Sequence, residues 1–167
     1  MPAQTLYIIT GLPYSGKTTL TKELVKRFGF SVVSMDDIME ERHLDSATMV
    51  QEDWNTVYSE AYEKLKKLLK EGNSVVIDCG NLPVHERETP KKIATSLGIT
   101  PKLVYVNTAK EEILRRWEEN QTTKQRGHLE ENGLNFAFDL FEEPTEVENP
   151  IIYNQSLDLD TWLKANI

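Results

Sequence analysis

The sequence predicts an α/β fold in which a five-stranded parallel sheet carries helices on both faces. Short apolar runs of strand length alternate along the chain with segments whose apolar residues recur at helical spacing. Glycines or polar residues follow most of these runs, as expected where parallel strands end at a functional edge. At 167 residues the chain has the length of one domain, and we expect residues 1–167 to form a single domain.

The first predicted strand and helix flank a glycine-rich loop. An apolar run at residues 6–9 leads into GLPYSGKT at residues 11–18, and apolar residues resume at helical spacing from Leu20. This is the P-loop pattern G-x-x-x-x-G-K-S/T, in the strand–loop–helix context that its chemistry requires. It predicts a P-loop NTPase domain; the alternative is a glycine turn between two core elements.

The residue types in this loop predict a phosphate site. Gly11 and Gly16 allow backbone conformations that turn successive N–H groups toward an anion, and the following helix start adds unpaired N–H groups. Lys17 is expected to contact the outer phosphates, and the Thr18 hydroxyl to ligate magnesium. We therefore predict that ATP or GTP binds with Mg²⁺ at seven residues: Gly11, Tyr14, Ser15, Gly16, Lys17, Thr18 and Thr19.

Two aspartates follow the second predicted strand. Gly29 is expected to end the first helix, and the strand covers residues 30–34. Asp37 with Glu40 three residues later has the pattern of a capping box, which leaves Asp36 without a local role. We predict that Asp36 orients an acceptor hydroxyl and receives its proton. The choice between the two aspartates stays open, as does the alternative that both are turn and cap residues.

A third predicted strand also ends in a carboxylate. Apolar residues at helical spacing over residues 50–69 predict a long helix that ends at Gly72, and the strand covers residues 74–79. Asp78 lies at the carboxyl end of that strand. An apolar strand ending in aspartate is typical of the magnesium-holding carboxylate that accompanies a P-loop hydroxyl such as that of Thr18.

The second half of the chain continues the alternation. Residues 80–83 predict a turn at the same sheet edge, where Asn81 and Arg87 are expected to contact substrate or phosphate. The alternative for Arg87 is a solvated surface charge. Thr89 and Pro90 have the pattern of a helix N-cap followed by a first-turn proline. The remaining predicted elements are a strand at 102–107, a helix at 111–117, a strand at 151–153 and a closing helical segment at 157–163.

A polar segment at residues 120–149 loses helical periodicity. Such a long connection inside a compact domain is typical of a functional lid, and its phenylalanines argue against disorder. We predict that the lid closes over the triphosphate and that Arg116 and Arg126 neutralise developing charge. The alternative is that both are ordinary surface arginines.

Composition excludes several other classes. The formal net charge of −8 disfavours nonspecific nucleic-acid binding, because such binding depends on lysines and arginines that displace counterions. The longest apolar runs have strand length, so we expect no membrane partner. Residues 1–10 lack a signal-peptide pattern and Cys79 is the only cysteine, which together predict a cytoplasmic protein.

The motifs together resemble a family. The segments GLPYSGKTT, MDDI, VVIDCGNLPVHER, LRRW and FEEPTEVEN are similar to those of small P-loop kinases of the AAA-domain, polynucleotide-kinase-like and zeta-toxin-like group. The resemblance implies an adenylate-kinase-like sheet and magnesium-dependent transfer of the γ-phosphate of ATP or GTP to a hydroxyl. It implies phosphate, metal, base and lid roles for Lys17, Thr18, Asp36, Asp78, Arg116 and Arg126.

One departure bears on the acceptor. The polynucleotide kinases of that group place an arginine three residues after the catalytic aspartate, where this chain has Met39. With the acidic charge, this favours a small-molecule hydroxyl acceptor over nucleic acid. The alternatives are a 5′-hydroxyl polynucleotide kinase, in which Arg42 replaces the missing arginine, and an ATPase or nucleotide-sensing module that has no acceptor.

Overall fold

A parallel sheet forms the centre of the computed structural model, which describes residues 3–167. Its five strands are β1 (Thr5–Thr10), β2 (Ser31–Ser34), β3 (Val75–Asp78), β4 (Thr100–Val106) and β5 (Ile151–Tyr153). They pair in the order β2-β3-β1-β4-β5, and each pair is parallel. The predicted α/β class and the five-stranded parallel sheet are confirmed. The first two residues of the predicted domain lie outside the described part.

Helices connect the strands and cover both faces of the sheet. They are α1 (Lys17–Phe28), α2 (Met35–Glu41), α3 (Gln51–Lys70), α4 (Val84–Ser96), α5 (Lys110–Thr123), α6 (Glu131–Leu140) and α7 (Leu159–Asn166), with a 3₁₀ turn at Glu146–Glu148. Within residues 3–167, no helix is both long enough and apolar enough to cross a membrane.

The alternation of side chains along β1 divides the core between the two sheet faces. Leu6 and Ile8 pack on one face with residues of α3 and α4, whereas Tyr7 and Ile9 pack on the other with residues of α1 and α7. Successive side chains of a strand point to opposite faces, so a fully buried strand must be apolar on both. Because β1 lies at the centre of the sheet, the loop that follows it is held between two packed layers.

The start of α2 corrects one prediction. The expected capping box at Asp37 is wrong, because Ser34 at the end of β2 is the N-cap and its Oγ accepts a hydrogen bond from the Asp37 N–H at 3.3 Å. Serine in extended backbone is a preferred N-cap, and the helix therefore starts at Met35. Asp36 and Asp37 both lie in its exposed first turn.

The start of α4 corrects a second prediction. Thr89 is not an N-cap, because the helix begins at Val84 and contains Pro90 in its interior. Pro83 is the N-cap, and the Val84 N–H donates to Glu142 Oε1 at 3.3 Å, 58 positions away in the sequence. The helix therefore begins five residues ahead of the local threonine–proline signal.

The predicted loss of periodicity over residues 120–149 is only partly right. Helix α5 continues to Thr123, and α6 occupies Glu131–Leu140, so the irregular stretches are 124–130 and the residues after α6. The apolar side of α6 is short and does not join the sheet. Its Leu134 packs instead with Ile113 of α5 and Tyr14 of the glycine-rich loop.

Candidate functional site

The loop between β1 and α1 has the backbone geometry that its glycines predict. Gly11 has φ +150° and Gly16 has φ +104°, a region that residues with side chains rarely adopt. A Cβ on Gly11 would lie 2.7 Å from the backbone oxygen of Val106. Gly16 is the N-cap of α1 and has no side chain to pair with the first N–H groups of that helix. These groups and the helix dipole favour an anion.

Residues after β4 and β5 hold the loop in place. Thr108 Oγ1 donates to the Ser15 carbonyl at 2.7 Å, and Gln155 Nε2 donates to the same carbonyl at 3.3 Å. The Ser15 hydroxyl is buried and has no hydrogen-bond partner among the described residues. Neither Thr108 nor Gln155 was among the predicted site residues. The available signal was that polar residues just after these strands must lie at the same sheet edge as the loop.

Lys17 folds back over the loop. Its Nζ donates to the carbonyls of Gly11 at 2.7 Å and Leu12 at 2.9 Å. Burial lowers the pKa of Lys17 to about 8, although the carboxylates of Asp78 and Asp36 act in the opposite direction. The lysine charge is thus poorly solvated, and an incoming polyphosphate would stabilise it.

The predicted metal ligands lie on neighbouring elements. Thr18 is exposed in the first turn of α1, and Asp78 ends β3, which pairs directly with β1. Burial raises the pKa of Asp78, while the charge of Lys17 lowers it and that of Asp36 raises it. One hydroxyl and one carboxylate suit Mg²⁺, which prefers oxygen ligands and keeps several from water and phosphate. Across residues 3–167, no group of three or more His, Cys, Asp or Glu residues forms an all-protein metal site.

The two aspartates of α2 differ in their influence on this cluster. The charge of Asp36 raises the pKa of both Lys17 and Asp78. The charge of Asp37 affects Asp78 more weakly than that of Asp36. Asp36 is thus the aspartate whose charge acts more strongly on this cluster, and both aspartates are exposed.

The two arginines proposed for the lid both contact the loop. Arg116 Nη1 donates to the Tyr14 carbonyl at 3.0 Å, and its Nη2 donates to the Gln155 side chain. The Arg126 guanidinium lies 4.2 Å from the centre of the Tyr14 ring. The structure thus places both side chains beside the predicted phosphate site rather than on a remote surface. Their roles in transfer remain predictions.

Asn81 and Arg87 have structural partners instead of the expected substrate contacts. Asn81 Nδ2 donates to the carbonyls of Ile9 at 3.0 Å and Ile77 at 3.3 Å, which joins the ends of β1 and β3. Arg87 is fully buried and pairs with both carboxylate oxygens of Glu148 at 2.8 Å. The expected substrate contact and the alternative of a surface charge are therefore both wrong for Arg87.

Comparisons with known proteins place the chain among P-loop kinases. Residues 6–144 match the family model described as AAA domain. A shikimate kinase from Clostridium botulinum (strain Okra / Type B1) is 27% identical over 146 residues, which cover 84% of this chain and 80% of that relative.

Two solved structures show the same fold. Chaetomium thermophilum Kti12 in complex with ADP-AlF3 superposes with a TM-score of 0.75 at 18% identity, covering 95% of this chain and 94% of that one. A sugar kinase from Janibacter sp. HTCC2649 superposes with a TM-score of 0.66 at 16% identity, covering 98% and 92%. Both likenesses extend over nearly the whole sheet and its helices.

Proposed function

This chain belongs to the AAA-domain family of P-loop kinases, and we propose that it transfers the γ-phosphate of ATP to a hydroxyl group of a small-molecule acceptor. The observation that carries the proposal is the convergence of Lys17, Asp36 and Asp78 beside the glycine-rich loop. A phosphate-binding lysine, a metal carboxylate and an exposed carboxylate for the acceptor are the groups that phosphoryl transfer requires.

Each residue has a defined task in this scheme. Mg²⁺-bound ATP supplies the phosphoryl group when it is bound, and Thr18 and Asp78 would hold the ion. Lys17 stabilises negative charge on the outer phosphates, and Asp36 accepts the proton of the acceptor hydroxyl. The bond from the acceptor oxygen to the γ-phosphorus forms as the β,γ-bridging bond breaks, and ADP leaves. Arg116 and Arg126 add positive charge and exclude water from the loop.

The pairing of the arginines supports a small acceptor over a polynucleotide. Arg42, the candidate for the missing phosphate contact, forms an ion pair with Glu60 on the exposed surface of α2 and α3. Arg87 is bound to Glu148 in the interior. Met39 packs against the core beside α3 and presents no charge. An acceptor phosphate would therefore compete with existing ion pairs for these arginines.

The direct test is acceptor-dependent transfer of label from radiolabelled ATP. The panel contains sugars, polyols, nucleosides, aminoglycosides, shikimate and a 5′-hydroxyl oligonucleotide, and a parallel series uses GTP as donor. We expect label on a small acceptor and none on the oligonucleotide. Salt-sensitive labelling of the oligonucleotide would refute the small-acceptor proposal and favour a polynucleotide kinase.

A pair of matched variants tests the role of Asp36. Asp36→Asn should keep ATP affinity within about threefold and lower transfer by a factor of about 10² to 10⁴, the usual contribution of a general base. Asp37→Asn, one residue further along the same exposed turn, should retain most of the transfer. If Asp36→Asn hydrolyses ATP as fast as the unsubstituted protein and no acceptor stimulates either, the chain is an ATPase or a nucleotide sensor.

A further inference from the structure

We propose that Tyr14 is a positioning residue through which the glycine-rich loop holds Arg116 and Arg126, an inference that rests on the proposed kinase function. Tyr14 was predicted only as one member of the phosphate loop. Its side chain is 5% exposed and packs with Ile113 of α5 and Leu134 of α6, away from the sheet. A residue of the phosphate loop is thus also part of the core that supports the predicted lid.

The backbone conformation of Tyr14 disfavours any residue with a side chain. Its φ is +63°, the left-handed region in which a residue with a Cβ is sterically disfavoured and glycine is favoured. Glycine would satisfy the turn without strain. The contacts of the tyrosine side chain are therefore what the loop gains from this residue.

Three parts of Tyr14 make three different contacts. Its carbonyl accepts a hydrogen bond from Arg116 Nη1 at 3.0 Å. Its ring lies 4.2 Å from the Arg126 guanidinium, within the range of a cation–π interaction. Its hydroxyl accepts a hydrogen bond from the Leu129 N–H at 3.1 Å. Both arginines and the segment that carries one of them therefore meet at one residue of the loop.

We call residues 124–130 the arginine segment. It connects α5 to α6 and is attached to α5 as well as to Tyr14. Asn120 makes hydrogen bonds of 3.2 Å to both the N–H and the carbonyl of Arg126, and Trp117 Nε1 donates to the Leu129 carbonyl at 2.6 Å. Because α5 fixes the backbone of the segment, the Tyr14 ring has only to fix the guanidinium of Arg126.

The arrangement brings the charge of Arg126 close to the charges of Lys17 and Asp78. The charge of Arg126 acts against the charge of Lys17, which faces the same loop. The charge of Arg126 also acts on the carboxylate of Asp78, whose pKa it lowers, and stacking on Tyr14 holds the guanidinium near both groups. A guanidinium that is already in place beside the loop can stabilise the negative charge that develops during transfer without moving at that step.

Four variants test the proposal in the full chain. Tyr14→Gly keeps the backbone conformation but removes the ring, and it should lower kcat for phosphoryl transfer about 10- to 100-fold with ATP affinity within about threefold. Tyr14→Phe retains the ring and should restore kcat to within about threefold of the unsubstituted protein. Arg126→Ala should lower kcat as Tyr14→Gly does, and the double variant should be no slower than Arg126→Ala alone.

A loss in the double variant equal to the product of the two single losses would overturn the proposal, because Tyr14 would then act independently of Arg126. An unchanged kcat in Tyr14→Gly would overturn it as well. Loss of ATP affinity with unchanged kcat would show that Tyr14 contributes to binding rather than to positioning, which also contradicts the proposal.

Hydrogen exchange supplies a readout that does not depend on catalysis. The Leu129 amide should exchange at least about 10-fold faster in both Tyr14→Phe and Tyr14→Gly, because both lack the hydroxyl that accepts its hydrogen bond. Trypsin should cleave after Arg126 faster in Tyr14→Gly than in Tyr14→Phe. If the unsubstituted protein transfers no phosphate, the proposed function fails, and unchanged exchange at Leu129 would separately overturn the role of Tyr14.

Discussion

Replacing Arg87 by alanine should destabilise the fold far more than any single exposed arginine does. Its side chain is fully buried, and its Nη1 donates to the carbonyls of Leu82 at 2.6 Å and Asn81 at 3.2 Å. Its remaining donors bind both oxygens of Glu148, whose side chain is 8% exposed. One residue thus links α4, the turn after β3 and the 3₁₀ turn before β5.

The expected loss of stability in Arg87→Ala comes from the carboxylate that the substitution leaves in the interior without its partner. Without Arg87, the Glu148 carboxylate remains buried, and its nearest cation is Lys91 Nζ at 3.7 Å. Removing one partner of a buried ion pair costs about 3 to 5 kcal/mol of the free energy of unfolding. In a chain of this length 1 kcal/mol corresponds to about 2 to 4 °C, so the melting temperature should fall by about 6 to 20 °C.

Urea unfolding at two pH values measures the loss of stability in Arg87→Ala and tests whether the charge of Glu148 causes it. The hydrogen bonds from Arg87 hold the pKa of Glu148 below its usual range. A lowered folded-state pKa contributes stability above the unfolded pKa of about 4.3, and this contribution is lost as pH falls through the folded value. The difference between Arg87→Ala and the unsubstituted protein should therefore be large at pH 7 and smaller near pH 3.

A matched control separates burial from charge. Arg115 also pairs with two glutamates, but its side chain is 59% exposed, and Arg115→Ala should cost less than about 1 kcal/mol. The double variant Arg87→Met/Glu148→Leu should recover part of the loss, because no charge is then left buried. If Arg87→Ala costs no more than Arg115→Ala, the reasoning from burial is refuted.

Two further predictions concern the loop. Because burial lowers the pKa of Lys17 to about 8, ADP binding near pH 9 should take up a proton and should weaken as the pH rises further. Calorimetry in two buffers of different ionisation enthalpy measures this proton uptake, and Lys17→Met should abolish it. Gly11→Ala should destabilise the fold by about 2 to 4 kcal/mol in urea, because its Cβ would meet the Val106 carbonyl and its φ is strained; a loss below 1 kcal/mol would contradict this geometry.

Much of the candidate site could be predicted because its signals are local. Gly11, Gly16, Lys17 and Thr18 are adjacent in sequence, and the strand before them and the helix after them have distinct hydrophobic periods. That carboxylates of neighbouring strands meet at one edge follows from the parallel sheet alone. The charge of Asp36 acts on Asp78 across this edge, while the roles of both in transfer stay predictions. The sequence also predicted the position of α1 and its end at Gly29.

The misplaced elements depend on contacts between distant residues. Glu142 accepts a hydrogen bond from the first N–H of α4 across 58 positions, and Arg87 pairs with Glu148 across 61 positions, so no local pattern reveals either contact. Helix α6 is amphipathic, with Leu134 and Ala137 buried, but Leu134 packs on α5 and Tyr14 instead of the sheet. The helix therefore lies outside the alternation of strands and helices that the sequence analysis followed.

By itself, the sequence determined the class of fold, the order of the strands along the chain and the loop that receives phosphate, because these depend on residue periods and on backbone freedom at two glycines. Tertiary structure decided which arginine is buried, which aspartate acts more strongly on the charges beside the loop and which arginines reach Tyr14. Those outcomes depend on which side chains folding brings within a few ångströms of each other, and the energies of such contacts become definite only when the surrounding groups have been removed from water.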